Sequence, residues 1–282
     1  MLNAFSVDVE EHFQVQNFRR GIPSGEWDQH ESRVGASTRR VMDIMEGRNV
    51  RGTFFILGWV ASRNPELVRE IAARGHEIAS HGWSHTQLTR LDAGSFRDEA
   101  VRSKSLLEEL SGQEVLGFRA PSFSIQPHTF WALDILLDVG YRYDSSIFPI
   151  RHPDYGVTGW PRQIHHLKTP KGREIAEFPL TVASFCGRSV PVSGGGYFRL
   201  LPFGITRWGI RQANRHGRPA VFYVHPWEVD PDQPRHRRRT TRTGAFRHYT
   251  GLRKTEARLK KLVDTFPFAP CRDVLQENGF LD

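Results

Sequence analysis

The sequence predicts a closed or nearly closed (β/α) barrel of mostly parallel strands, and three observations lead there. Short apolar runs alternate with amphipathic helical stretches, giving about seven strands along the chain, which is the rhythm of successive βα units. At 282 residues the chain suits one barrel-sized domain with an appendage better than two equal domains. Acidic, basic and imidazole side chains recur at or just after the C-terminal ends of the expected strands, the end at which parallel barrels build their active sites.

The first run, Ala4-Phe5-Ser6-Val7, ends in Asp8-Val9-Glu10, where acids are costly unless exposed at a strand end or paired. Residues 11–33 are polar and broken by Gly and Pro, so they are expected as a loop over the strand ends, with Trp27 available to line a cleft. Residues 38–45 carry Val41, Ile44 and Met45 on one helical face, and 52–57 read as a buried strand. Asn64-Pro65-Glu66 opens a helix with proline at its first position, Gly75 ends it, and 76–80 form the third strand. Residues 96–110 turn Leu106, Leu107 and Leu110 inward, with Gly112 beyond the end, and lead to a strand at 115–119. A buried-face helix at 129–139 ends at Gly140 and is followed by a short strand, 141–144.

There the rhythm breaks. Residues 147–170 show no period and are expected as one long loop, followed by a strand at 174–178. Ser193-Gly194-Gly195-Gly196 lacks the Lys-Ser/Thr of a phosphate loop and reads as a tight turn. A helix at 203–216, stopped by Gly217, feeds the last strand, 220–225. Residues 1–230 are thus assigned to the barrel and 231–282 to a basic C-terminal extension. In that extension a helix over 255–263, with Leu259, Leu262 and Val263 on one face, is expected to pack on the barrel.

Hydrophobic and charged fractions of 38% and 25% are those of a globular protein, and no stretch approaches eighteen unbroken apolar residues. With no basic-then-apolar leader in the first residues, the expected compartment is the cytoplasm, with a peripheral station at the inner membrane as a variant. Cys186 and Cys271 lie far apart, in no metal-like spacing, and read as structural thiols. The net charge of +8 is concentrated: residues 235–261 hold eleven Lys/Arg against one acid, Glu256. No nucleic-acid-binding signature accompanies them, so nucleic acid is not an expected partner. An anionic membrane or glycan surface fits the basic segment better, beside the plainer alternative of a merely solvated charge run.

The chemistry centres on Ser80-His81-Gly82-Trp83-Ser84-His85. Two imidazoles four residues apart would project to one side of a single helical turn and reach one ion; on spacing alone, two of thirteen histidines could also simply fall together on a surface loop. Glu10 supplies a third ligand, and two histidines with one carboxylate leave a coordination position for water, as catalytic rather than structural sites do. Zn²⁺ is the expected ion, with Co²⁺ or another transition metal as alternatives. Asp8, two residues from Glu10 on the same face of an extended segment, is placed to act as general base, and Arg119 to hold it ionised. His225, on the last strand, is the candidate general acid, and Asp144, at the end of its own strand, joins the polar set.

Five stretches then carry a family resemblance: Phe5-Ser6-Val7-Asp8-Val9-Glu10, the His81–His85 segment, Phe118-Arg119-Ala120-Pro121-Ser122-Phe123, Tyr143-Asp144-Ser145-Ser146 and Tyr223-Val224-His225-Pro226-Trp227. In order and spacing, over roughly residues 1 to 230, they resemble the motifs of polysaccharide deacetylases, the NodB-homology group of carbohydrate esterases. The first motif departs from the common Asp-Asp form by placing its second acid one residue later, and the fourth lacks the usual Asp-Trp pair. The segment 178–231 and the tail 246–275 resemble the branch found in exopolysaccharide loci of PEP-CTERM/exosortase bacteria. The resemblance implies a deformed, TIM-like (β/α)7 barrel and metal-dependent removal of N-acetyl groups from an N-acetylated glycan. It also implies that the Ser122 backbone N–H is an oxyanion donor, that Pro121, Phe123 and Trp227 line the substrate site, and that Asp144 is catalytic. Two alternatives share the fold: a hydrolase of a small cyclic amide or imide, and a carbohydrate-binding pseudoenzyme.

Overall fold

The computed structural model describes residues 1–152 and 155–282. Strand β1 (Asn3–Val9) is followed by α1 (Val34–Glu46), β2 (Thr53–Ile56), α2 (Gly58–Arg63), α3 (Pro65–Ala73) and β3 (Glu77–Ser80). Next come α4 (Ala93–Ser111), β4 (Gly117–Phe118), α5 (Trp131–Val139) and β5 (Tyr143–Asp144). The second half adds β6 (His165–Lys168), β7 (Glu174–Glu177), β8 (Val182–Phe185), β9 (Arg188–Pro191), α6 (Gly195–Leu200), α7 (Phe203–Arg215) and β10 (Val221–Val224). The tail supplies α8 (Arg242–Tyr249), α9 (Leu252–Val263), β11 (Phe268–Ala269) and α10 (Cys271–Glu277).

All seven expected strands are present. They lie side by side and parallel in the order β10-β1-β2-β3-β4-β5-β7, as βα units of constant hand require. The fold is a deformed α/β barrel, curled but not closed by a ladder. The free side of β7 pairs antiparallel with β6, and irregular chain fills the gap to β10. There the Leu180 N–H donates to Ile147, Val221 to the Thr181 hydroxyl and Tyr223 to Ser193. Gly194 permits this closure: its φ is +138°, and a Cβ would fall 1.8 Å from the Tyr223 carbonyl oxygen.

Several expectations change. The span 147–170 is not one loop, because β6 forms a hairpin arm against β7 through Leu167 and Ile175; residues 153 and 154 of that span lie outside the described residues. The turn at 193–196 is present, with positive φ at Gly194 and Gly195, but it opens directly into α6. The hairpin of β8 and β9 and the six-residue α2 were too short to leave a period in the sequence. No break in the fold falls at residue 230. Strand β11 pairs with β1, and α10 places Cys271, Val274 and Leu275 among the apolar side chains of the barrel interior. Helix α9 buries Leu259, Leu262 and Val263, the expected stripe.

Strand alternation sorts two cores. Phe5, Val7, Phe54, Ile56 and Ile78 face outward under the helices, while Ala4, Phe55, Ala79, Val221 and Tyr223 face the lumen. With a period of two, the lumen face of β1 continues through Ser6 and Asp8 to Glu10, that of β3 to His81, and that of β10 to His225. The same alternation that fills the barrel therefore delivers polar groups to its C-terminal rim. At the opposite end, buried Glu77 accepts hydrogen bonds from Thr53 Oγ1, Tyr143 Oη and the Arg272 N–H, tying α10 in as the barrel floor. No helix among the described residues is long and apolar enough to cross a membrane.

His76, at the start of β3, is 3% exposed, and its Nδ1 accepts the Gly52 N–H at 3.2 Å. Burial, with Arg74 and Arg51 nearby, lowers its pKa from 6.5 to about 4. Below pH 6.5 the unfolded chain takes up a proton that the folded chain refuses, so this stability is complete above 6.5 and is lost as pH falls towards 4. His76→Asn, whose Oδ1 can accept the same N–H, should remove about 2–3 kcal/mol of that acid-side loss. Urea titrations at pH 7.5, 6 and 5 would show it, and an unchanged slope would contradict it.

Candidate active site

At the C-terminal rim a cavity of about 170 Å³ is bordered by Asp8, Glu10, His81, His85 and His225, with Ser122, Phe123 and Trp227 on its wall. One donor atom each from Glu10, His81 and His85 lies within 4.8 Å of the others. The rings of His81 and His85 are 5.4 Å apart, but the segment is not the helical turn that their spacing suggests. It is a loop bent by positive φ at Gly82 and His85. Glu99 on α4 grips it, accepting from the N–H groups of Trp83 and Ser84 and from the Ser84 hydroxyl. Gly58 lets it settle, since a Cβ there would lie 2.3 Å from the Trp83 ring.

These three residues fit a divalent cation. His81 Nδ1 is 2.8 Å from the Arg119 carbonyl oxygen, which makes Nδ1 the protonated nitrogen and frees Nε2. Burial lowers the His81 pKa to about 4, so the ring is neutral, as a ligand must be. Glu10 is held near 2: burial alone would raise it, but the attraction of His85 and His225 prevails. His85 Nε2 is 2.7 Å from Glu10 Oε2, yet that oxygen is buried without a hydrogen bond. A close nitrogen–oxygen contact with no N–H aligned along it suits a pair of atoms that share a cation. Trp227 Nε1 donates to the other oxygen of Glu10 at 3.2 Å, so Trp227 orients the carboxylate as well as walling the cleft.

Asp8 stands beside this group. Its Oδ1 accepts from Arg119 Nη1 at 2.7 Å, and its Oδ2 is 4.0 Å from His225 Nε2. Arg119 is itself 0% exposed. Its remaining donors go to Ser6 Oγ, to Ser145 Oγ and to the Ser145 carbonyl. His225 Nδ1 pairs with Glu228 Oε1 at 2.8 Å, and Arg199 binds the other oxygen of Glu228. Burial opposes a charge on His225, but Glu10, Glu228 and Asp8 outweigh it and raise its pKa to about 9. The ring therefore carries a proton at neutral pH, held on a side chain that faces the cleft. Ser122 and Phe123 both have positive φ; Phe123 donates to Ala120, while the Ser122 N–H has no acceptor among the described residues. An idle N–H at a cleft is a ready oxyanion donor.

Of the expected residues, Asp144, Pro121 and Arg119 do not line the cavity, and Arg119 reaches it through Asp8. The oxygens of Asp144 accept from the Ser146 hydroxyl and N–H, and burial pushes its carboxyl up to about 6, next to Glu177, which burial and Asp144 push well above its usual value. Ser146 Oγ in turn accepts the Ala120 N–H, so Asp144 reaches the site only by holding the Ala120–Phe123 turn. Pro121 is buried and starts that turn. Sequence reasoning missed Glu228, whose position three residues after His225 was a readable signal, and Arg199, Glu99 and Ser145, for which there was none.

A curled parallel barrel with a cation-binding donor set between a carboxylate and a protonated imidazole defines the class: a (β/α) barrel with a hydrolase-type centre at its C-terminal rim. Comparison makes it specific. Residues 27–143 match the family model described as polysaccharide deacetylase, and residues 145–276 match one described as a domain of unknown function. Over residues 27–143, less than half of its length, the chain thus matches the polysaccharide deacetylase domain. A peptidoglycan-N-acetylglucosamine deacetylase of Bacillus cereus is 32% identical over 84 residues, a match spanning 30% of this chain and 30% of that relative. The crystal structure of a putative polysaccharide deacetylase from Mycobacterium smegmatis superposes with a TM-score of 0.65 at 21% identity, covering 98% of this chain and 89% of that one. Puue allantoinase superposes with a TM-score of 0.61 at 16% identity, covering 98% and 89%. At these identities the two structures speak for the fold alone.

His81→Ala and His85→Ala should each abolish stoichiometric Zn²⁺ retention with the far-UV spectrum preserved, while Glu99→Ala, which loosens only the loop, should weaken retention about tenfold. Equilibrium dialysis with metal analysis would decide; a variant lacking both imidazoles that still held one ion would contradict the site.

Proposed function

We propose that the protein is a metal-dependent hydrolase that removes N-acetyl groups from an N-acetylated polysaccharide, with exopolysaccharide biosynthesis as its setting. The observation that carries this is the convergence of Glu10, His81 and His85 on one point, with Asp8 and His225 beside it, 4.0 Å from each other. The named deacetylase relative supports the bond class.

A divalent ion bound by Glu10, His81 and His85, Zn²⁺ in the first place, would acidify a water and polarise the acetamide carbonyl. Asp8, held in place by Arg119, receives the proton of the attacking water. The Ser122 N–H donates to the carbonyl oxygen as negative charge gathers on it. His225 passes its proton to the departing sugar amine, and Glu228 holds the ring so that Nε2 faces the cleft. Phe123 and Trp227 exclude water on either side. A small cyclic amide is the poorer fit, because Gln16 and Asn17 line both this cavity and a second, larger groove beside it, room that a small molecule would not need. The basic tail segment belongs to this reading as a surface for an anionic glycan or membrane.

Acetate release from N-acetylglucosamine oligomers, compared with ring opening of a small imide and with and without added Zn²⁺ or Co²⁺, tests the proposal. Metal-dependent acetate release is expected, and imide hydrolysis alone would overturn it. Asp8→Asn and His225→Ala should each lose roughly a hundredfold or more in kcat while retaining metal. In Glu228→Gln one carboxylate that holds the His225 proton is gone. The imidazolium becomes the stronger acid, and the alkaline limb of the kcat/KM profile should move about one unit lower. A limb that did not move would remove His225 as the acid.

A further inference from the structure

The metal cavity does not end at its own wall. Gln16 and Asn17 line it and also line a larger neighbouring groove, whose other walls are Arg19, Arg20, Gly21 and the tail residues Arg238 to Thr241. The Thr240 hydroxyl donates to the Asn17 carbonyl at 2.7 Å and Arg239 Nη1 to Gly21 at 2.9 Å, so the tail is stitched to the loop after β1 and the two together build the groove. Four arginines line it and no carboxylate does. Among the described residues only Arg239 of the four has an acid within 4.0 Å, Glu26 at 3.3 Å. Arg20 and Arg238 make no ion pair among the described residues, and Arg19 Nε is buried without an acceptor. Some guanidinium groups elsewhere do find acids, Arg39, Arg63, Arg74 and Arg97 among them. Like charges gathered without counter-charges repel one another, and a buried donor without an acceptor is costly. Both are relieved by an anionic ligand. Arg247, on α8, adds one more cation on the wall of the metal cavity itself.

We propose that this groove is a substrate subsite, and that the glycan is acidic: an N-acetylated sugar enters the metal cavity while a carboxylate- or phosphate-bearing neighbour on the same chain lies against Arg19, Arg20 and Arg238. This rests on the deacetylase reading and narrows it to a polyanionic substrate. It also gives the basic tail a task, since the residues that make the chain strongly cationic form one wall of the path to the catalytic rim. The membrane is the less suitable partner for these side chains, because they line a concavity adjoining the cleft rather than a convex face.

The test measures binding apart from turnover. End-labelled hyaluronan hexasaccharide, in which uronate alternates with N-acetylglucosamine, and neutral chitohexaose are titrated against the full chain at 25 and 250 mM NaCl. The acidic oligomer should bind about tenfold or more tightly at low salt, with the preference shrinking at high salt. The Arg19→Gln/Arg20→Gln/Arg238→Gln variant should lose the preference and bind chitohexaose as the wild type does. An N-acetylglucosamine oligomer bearing 6-phosphates shows whether phosphate serves in place of carboxylate. Equal binding of the two hexasaccharides, a preference that survives in the triple variant, or capture by phosphatidylglycerol vesicles without any glycan preference would each overturn the subsite. Arginine-dependent binding without acetate release would instead remove the deacetylase reading and leave the groove as a binding site, whereas acetate release with no acidic preference would do the reverse.

Discussion

The site depends on one buried cation. Arg119 lies wholly inside the barrel, stacked 4.1 Å over the Phe55 ring, and a guanidinium there is tolerable only where an ion pair and hydrogen bonds take up its donors. It spends them across the barrel on Asp8 and Ser6 of β1 and on Ser145 after β5. Its own carbonyl oxygen fixes the tautomer of His81. A single residue thus sets the position of the base, the orientation of one ligand and the spacing of three strand ends. Removing it would leave the Asp8 carboxylate buried and alone, so the ion pair is a positioning device whose worth lies in geometry.

Around it a second cationic post repeats the arrangement at the rim. Arg199 on α6 holds Glu228, which holds His225, and Arg199 also binds the carbonyl oxygens of His248 and Thr250 in the tail. His225, Trp227 and His248 stack in sequence, with ring separations of 5.1 and 4.3 Å. The tail is therefore continuous with the catalytic rim as well as with the floor that α10 seals. The family match over 145–276, which crosses residue 230 without interruption, agrees with a second half built as one piece.

How much of this the sequence discloses follows from the range of each interaction. The seven strands and their main helices were readable because they rest on local periods, and Asp8, Glu10, His81, His85, Arg119 and His225 because strand alternation carries the lumen face to the rim. What escaped were contacts between distant stretches. Nothing near residue 199 announces that its arginine will meet Glu228, and nothing near residue 99 announces a clamp on the His81–His85 loop. The i, i+4 argument for the two histidines rested on a helical turn, whereas positive φ at Gly82 and His85 brings the rings together. Asp144 was read from its place at a strand end; its side chain turns to Ser146 and Glu177 instead, a choice made by burial that no spacing encodes.

The central claim is that a cation is held by Glu10, His81 and His85 while Asp8, bound to Arg119, stays free to act as base. Anomalous diffraction at the zinc absorption edge, from crystals of the Zn²⁺-loaded protein, tests it most directly. The account predicts one strong peak bonded to a Glu10 oxygen and to one nitrogen each of His81 and His85, with the Asp8–Arg119 pair intact. A peak bonded to Asp8, or one placed instead at the close imidazole pair of His12 and His236, whose Nε2 atoms lie 3.3 Å apart, would contradict it.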